Sequence, residues 1–122
     1  MPTLADRVTG LAADPEFRLL SRYWTGALWL DLGAEAVRIS FDDGAVVGAN
    51  LSNDPPADEP GEVGISAPSE LWDRILQPVP ERFCNDIAPA QALGLRVLGH
   101  EETYWQYYPA IRRLVDLLRE TR

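Results

Sequence analysis

Lysine is absent from the 122 residues, so all eleven basic side chains are arginines, set against nineteen aspartates and glutamates for a formal net charge of -8. Nucleic acids and anionic membranes are gripped by positive potential that releases counterions, so no nucleic-acid partner is expected. The only cysteine is Cys84, which excludes an intrachain disulfide and gives no pointer to secretion. The only histidine is His100, and with one thiol and scattered carboxylates there is no clustered ligand set for a metal ion. No glycine-rich loop is present to cradle a phosphate, and no cofactor is expected. No window approaches the roughly 20 apolar residues of a membrane span, and MPTLADRVTG lacks a basic segment followed by an apolar one. No stable membrane insertion is expected, and the default location is cytoplasmic.

What is present is ordinary globular material: 46% hydrophobic and 25% charged residues. A chain of this length is most simply one domain, residues 1–122, that buries roughly two thirds of its unfolded surface. The acidity is uneven, with ten acids and four arginines in Met1 to Gly61 against nine and seven in the remainder.

Thr3 is placed to cap a helix carrying Leu4, Val8 and Leu11, and Asp14-Pro15 is good first-turn chemistry for another that buries Phe17 and Leu20. From Gly26 the period shortens to two. ALWLDLG sets Leu28, Leu30 and Leu32 against Trp29 and Asp31, and AVRISFDDG sets Val37, Ile39 and Phe41 against Arg38 and Ser40. Asp43-Gly44 signals a hairpin turn, with AVVGANL as the returning strand and Gly48 as a bulge or close approach. SNDPPADEPG reads as an exposed loop at a sheet end, and EVGIS as a further short strand. Ser66 or Ser69 is expected to cap a helix with Leu71, Trp72, Ile75 and Leu76 on one face, stopped before Pro78 and Pro80. ERFCNDIAPAQALG suggests short helical turns ending at Gly94, and LRVLG a last strand. Thr103 and Gln106 form a capping box for a final helix with Tyr104, Tyr107, Tyr108, Ile111, Leu114, Val115 and Leu118 on one stripe, kinked at Pro109. The pattern predicts an α+β fold: one mostly antiparallel sheet covered by helices on one face.

In that order of elements, GEVGISAPSELWDRIL and APAQALGLRVLGHEETYWQYYPAIRRLVDLL resemble the sterol carrier protein 2-like family. The matching features are a strand entering a helix over Ser66 to Leu76, the small residues Ala88 to Ala92, a strand from Leu95 ending in Gly99-His100, and a terminal amphipathic helix. The Asp43-Gly44 hairpin is similar to the early strands of that family. The resemblance implies an apolar cavity between sheet and helices that accepts lipids, sterols or acyl chains, and no shared catalytic constellation. His100 stands where the family often has an aspartate, and the proline-rich loop and the four tryptophans are further departures.

Catalysis finds little support in the residues. A dyad needs His100 to meet Cys84 or a serine through a distant contact. Inward-facing Asp31, Asp42 or Asp86 would suit proton transfer in a small isomerase, cyclase or hydrolase acting on an apolar substrate. The aromatics are the stronger signal, since His100, Tyr104, Trp105, Tyr107 and Tyr108 fall within nine residues. The expected site for an apolar small-molecule ligand is formed by Trp29, Trp72, His100, Tyr104, Trp105, Tyr108 and Ile111. An exposed aromatic patch at Trp105 would serve instead for a protein partner or a homodimer.

Overall fold

Each element begins where the chain supplies a local reason for it. In the computed structural model, which describes residues 4–121, α1 spans Leu4–Leu11 and α2 spans Pro15–Leu20. Asp14 caps α2, accepting from the Phe17 amide at 3.0 Å, and Pro15 opens the helix without an amide hydrogen to satisfy. The Thr3 cap expected for α1 lies outside the described residues. Then come β1 (Gly26–Asp31), β2 (Ala36–Asp42), β3 (Ala45–Leu51), β4 (Glu62–Ser66) and α3 (Ser69–Ile75). They are followed by α4 (Ile87–Ala90) with a 3-10 turn at Gln91–Leu93, β5 (Arg96–Gly99), α5 (Glu101–Gln106) and α6 (Tyr108–Glu120). The β2–β3 turn is Asp43-Gly44 as expected, with φ of 48° and 85°, a left-handed pair that a two-residue hairpin requires. The bulge is real and sits one residue before Gly48, where the register passes from Ser40 opposite Gly48 to Phe41 opposite Val46 and leaves Val47 over.

The five strands form one sheet in the order β3-β2-β1-β4-β5. All neighbours are antiparallel except β1 and β4, which run parallel. The mostly antiparallel α+β architecture is therefore as the sequence predicts, but β4 does not extend the meander. The reason is the proline-rich segment, which is a crossover and not a loop at a sheet end. After β3 the chain folds back over the outer face: the Trp29 indole donates to the Ser52 carbonyl at 2.9 Å, and Pro56 packs on Gly64. A Cβ at Gly64 would stand 2.7 Å from Pro56 Cγ and 3.1 Å from the Trp29 ring, so this crossing needs glycine beneath it. The Arg38–Glu62 ion pair at 2.6 Å reinforces the same face, reaching from β2 across β1 to β4.

The inner face carries the core. Leu28 and Leu30 of β1, Val37, Ile39 and Phe41 of β2, and Val63 and Ile65 of β4 pack with Val8, Phe17, Leu71, Ile75, Ile111, Leu114 and Leu118 from the helices. Each such side chain is worth about 1.5–3 kcal/mol on leaving water. At its centre Trp24 lies between Phe41 and Tyr107, with centroids at 4.4 Å and 4.5 Å and ring planes within 6° and 4° of parallel. Its indole donates to the Gly61 carbonyl at 2.9 Å, which also accepts from the Ala27 amide at 3.0 Å.

The start of α3 and the course of the final helix differ from expectation. Pro68 precedes α3 and no side chain caps it, because the Ser66 hydroxyl donates to Asp31 Oδ2 at 2.8 Å instead. The final helix is also not one kinked rod. It is interrupted at Tyr107, so Pro109 falls in the first turn of α6, where its missing amide costs nothing.

Arg113 of α6 clamps that helix to the start of α2. Its Nε and Nη2 donate to Asp14 Oδ2 and Oδ1 at 3.1 Å and 3.2 Å, and Nε also lies 3.1 Å from Glu16. The Arg113 hydrogen bond, helped by the Phe17 amide, holds the Asp14 carboxyl below its ordinary 3.8. A depressed carboxyl stabilises the fold fully above its unfolded value, and that contribution is lost as pH falls from there through the folded value. Asp14→Asn should therefore be less stable than the parent at pH 7, with the gap closing on acidification below about pH 4 in urea melts followed by circular dichroism. Trp24→Ala should cost about 3–5 kcal/mol in the same melts at neutral pH, and Trp24→Phe clearly less.

Candidate binding site at the aromatic cleft

The break between α5 and α6 sets the geometry of the site. His100 begins it: the ring Nδ1 accepts from the Thr103 amide at 3.3 Å and lies 2.9 Å from the Thr103 hydroxyl. His100 is thus the N-cap of α5, and the expected Thr103–Gln106 capping box does not form. Thr103 is buried one turn into the helix, where its hydroxyl oxygen accepts from the Gly61 amide at 2.9 Å. With that oxygen accepting from Gly61, its hydrogen is left to point toward His100 Nδ1. The His100 amide also donates to the Glu62 carbonyl at 2.7 Å, fixing α5 against β4.

So anchored, α5 projects two rings toward β5. Tyr104 is 3% exposed, whereas Trp105 beside it is 54% exposed. Tyr104 meets Trp105 and Tyr108 edge-on at 4.8 Å and 5.5 Å, and Trp105 stacks on Tyr108 at 5.7 Å. Edge and offset contacts of this kind match the ring quadrupoles and add roughly 0.5–1.5 kcal/mol each beyond area. In front of them a cleft of about 300 Å³ opens to the surface, lined by Gln91, Val97, Gly99, Glu101, Tyr104 and Trp105. Burial, then the hydrogen bond to Asp86, pushes the Tyr108 phenol up to about 12. Burial, then Tyr108 and Asp86, raises that of Tyr104 as well. Both rings are neutral hydrogen-bond donors at ordinary pH. Among the described residues, however, the Tyr104 hydroxyl has no hydrogen-bond partner.

The seven residues expected at one site are divided. Tyr104 and Trp105 line the cleft, and Tyr108 backs them. Ile111 is in the core, and His100 is the helix cap next to the cleft residue Glu101. Trp72 is buried with its indole on the Asp31 carbonyl at 2.7 Å, and Trp29 lies under the crossover on the outer face. Trp24, at the entry to the sheet, is in the core and not at the cleft, with stacking partners distant along the chain. A larger open cleft of about 800 Å³ lies elsewhere, between Thr9, Ala12 and Ala13 in and after α1, Arg18, Leu19 and Arg22 around α2, and the hairpin residues Asp43 to Val46.

The carboxylates considered for proton transfer do not converge. Asp31 and Asp42 sit at opposite ends of the antiparallel β1–β2 pair, since Gly26 faces Phe41 and Asp31 faces Ala36. Asp86 caps α4, accepting from the Ile87 amide at 2.7 Å. Among the described residues, no three histidine, cysteine or acidic side chains gather as metal ligands, and no helix is long and apolar enough to cross a membrane.

No family model and no curated protein matches the sequence. The fold does have counterparts among solved structures. The crystal structure of sterol carrier protein 2 aligns over 93% of this chain and 91% of its own, with a TM-score of 0.69 and 22% identity. A conserved hypothetical protein from Thermus thermophilus, described as a candidate sterol carrier protein, aligns over 95% of this chain and 83% of its own, with a TM-score of 0.62 and 20% identity. The chain has the fold of sterol carrier protein 2, and at these identities the fold is what is shared.

Tyr104→Phe should leave stability unchanged or raise it by up to about 1 kcal/mol, because it removes a buried hydroxyl with no hydrogen-bond partner among the described residues. His100→Ala should cost about 1 kcal/mol through loss of the cap, and His100→Asn should recover most of it. Urea melts of the three variants check both.

Proposed function

We propose that the chain is a divergent member of the sterol carrier protein 2-like family that binds an apolar small molecule, such as a lipid, sterol or acyl compound, at the cleft between α5 and β5. The observation that carries this reading is Trp105, a large ring held in water beside Val97 and braced by Tyr108. Covering such apolar surface yields about 25 cal/mol per Å2, and a ligand that stacks on Trp105 gains this without first reorganising the ring. Tyr104 and Trp105 contact the ligand in this reading, while Gln91 and Glu101 meet its polar end. At about 300 Å³ the cleft lies at the small end of ligand sites, and it holds one apolar segment of a larger molecule. The shared fold supports the reading, and the separation of Asp31, Asp42 and Asp86 favours binding over proton-transfer catalysis.

Titration with a polyene fatty acid and a fluorescent sterol, read by energy transfer from tryptophan, tests it. The expected result is saturable binding of at least one probe, weakened about tenfold by Trp105→Ala and little changed by Trp105→Phe. Failure of both probes to bind, or equal affinity of Trp105→Ala and the parent, overturns the proposal.

A further inference from the structure

The larger cleft, of about 800 Å³, shares no lining residue with the aromatic one and differs from it in charge. Glu101 is the only charged side chain lining the aromatic cleft, whereas two arginines, Arg18 and Arg22, and one acid, Asp43, line this one. A local excess of positive charge thus sits in a chain of net charge -8. Arg38, Arg74, Arg112, Arg113 and Arg119 each face a carboxylate within 3.9 Å. Among the described residues no carboxylate is so placed for Arg18 or Arg22. Arg113 is the cause. Asp14 stands four residues before Arg18, the spacing at which an acid and a base on one helix meet, but both its oxygens accept from Arg113, and Glu16 lies 3.1 Å from the same guanidinium. Arg22 rests over the Tyr23 ring, 5.7 Å from its centroid, a contact that uses the flat face of the guanidinium and leaves its N–H edge open.

The walls leave room and are held in place. Pro15, Arg18, Leu19 and Arg22 fall at the three- and four-residue spacing of one helix face, while Ala12, Ala13 and Ala45 put nothing longer than a methyl group into the space. The Gly44 amide donates to the Trp24 carbonyl at 2.8 Å and the Asp43 amide to the Thr25 hydroxyl at 2.9 Å, which ties the hairpin wall to the segment carrying Arg22. Leu19 is 57% exposed at the rim, and Val46 is half-buried.

We propose that this cleft is a second binding site, for an organic anion: an apolar body ending in a carboxylate, whose oxygens Arg18 and Arg22 hold while Leu19 and Val46 cover the body. The planar fork of a guanidinium matches the two oxygens of a carboxylate. Two like charges four residues apart repel each other, and an anion between them relieves that repulsion. A bare inorganic anion leaves Leu19 and Val46 in water, and a neutral apolar ligand leaves both arginines unpaired, so the site rewards a molecule that has both parts. Its volume lies within the roughly 300–1,000 Å³ of small-molecule sites. The aromatic cleft, with Glu101 at its edge, opposes such an anion.

Nitrogen-15 correlation spectra during titration with naphthalene-2-carboxylate, with its neutral counterpart naphthalene-2-methanol and with inorganic phosphate test both parts of the site. The carboxylate should move the Gly44 and Ala45 amide signals to saturation and bind about tenfold or more tightly than the alcohol or phosphate. Arg18→Gln and Arg22→Gln should each weaken it about tenfold with circular dichroism unchanged. Arg96→Gln makes the same change in net charge on β5, at the opposite edge of the sheet from β3, and should leave the affinity as it is. A carboxylate that gives no saturating shift at the hairpin by about 10 mM overturns the proposal. So does an alcohol or phosphate that binds there as tightly, and so does an affinity that falls no further with Arg22→Gln than with Arg96→Gln.

Discussion

Trp24 is the point on which sheet, crossover and terminal helices all bear. Its indole is clamped between Phe41 of β2 and Tyr107 at the break between α5 and α6, and its N–H ends on the Gly61 carbonyl. A buried indole needs both apolar faces and a hydrogen-bond acceptor, and few positions offer the two together. Here the acceptor is the last residue of the crossover, just before β4 begins. The same glycine accepts from Ala27 of β1 through its carbonyl, while its amide donates to Thr103 of α5. One ring and one glycine therefore fix the relative positions of β1, β2, β4 and the aromatic helix.

That arrangement has a consequence for function. The space between sheet and helices at this end is filled by three stacked rings, and the open space lies outward, in the cleft beyond Tyr104. The interruption at Tyr107 makes this division possible. It turns Tyr107 inward onto Trp24, while Tyr104, Trp105 and Tyr108 form a second aromatic group on the cleft side. The two groups differ in kind. The first is closed around an indole whose N–H is satisfied, and the second carries an exposed indole and an unpartnered hydroxyl.

Much of the fold was legible because its signals are local. Asp14-Pro15 and Asp43-Gly44 act within a turn, and the period of two in β1 and β2 needs no knowledge of partners. The parallel placement of β4 was not legible, since it depends on Ser52 and Pro56 finding Trp29 and Gly64 across the outer face. The cap of α5 was misjudged because Thr103 matches the capping-box pattern, but burial claims its hydroxyl for Gly61 and leaves the cap to His100. The grouping of Tyr104, Trp105 and Tyr108 was legible from their spacing on one helical stretch. Trp29 and Trp72 were placed with them on aromatic character alone, which carries no information about which face of the sheet a ring occupies.

The most direct test of this account uses the four indole N–H groups as separate reporters in a nitrogen-15 correlation spectrum during titration with the apolar probe that binds best. Trp24, Trp29 and Trp72 donate to the carbonyls of Gly61, Ser52 and Asp31, and Trp105 is the exposed one. The account predicts that the Trp105 signal moves to saturation while the other three stay in place. A saturating shift at Trp24 or Trp72 with Trp105 unmoved would contradict it, and would put the ligand between the sheet and its helices.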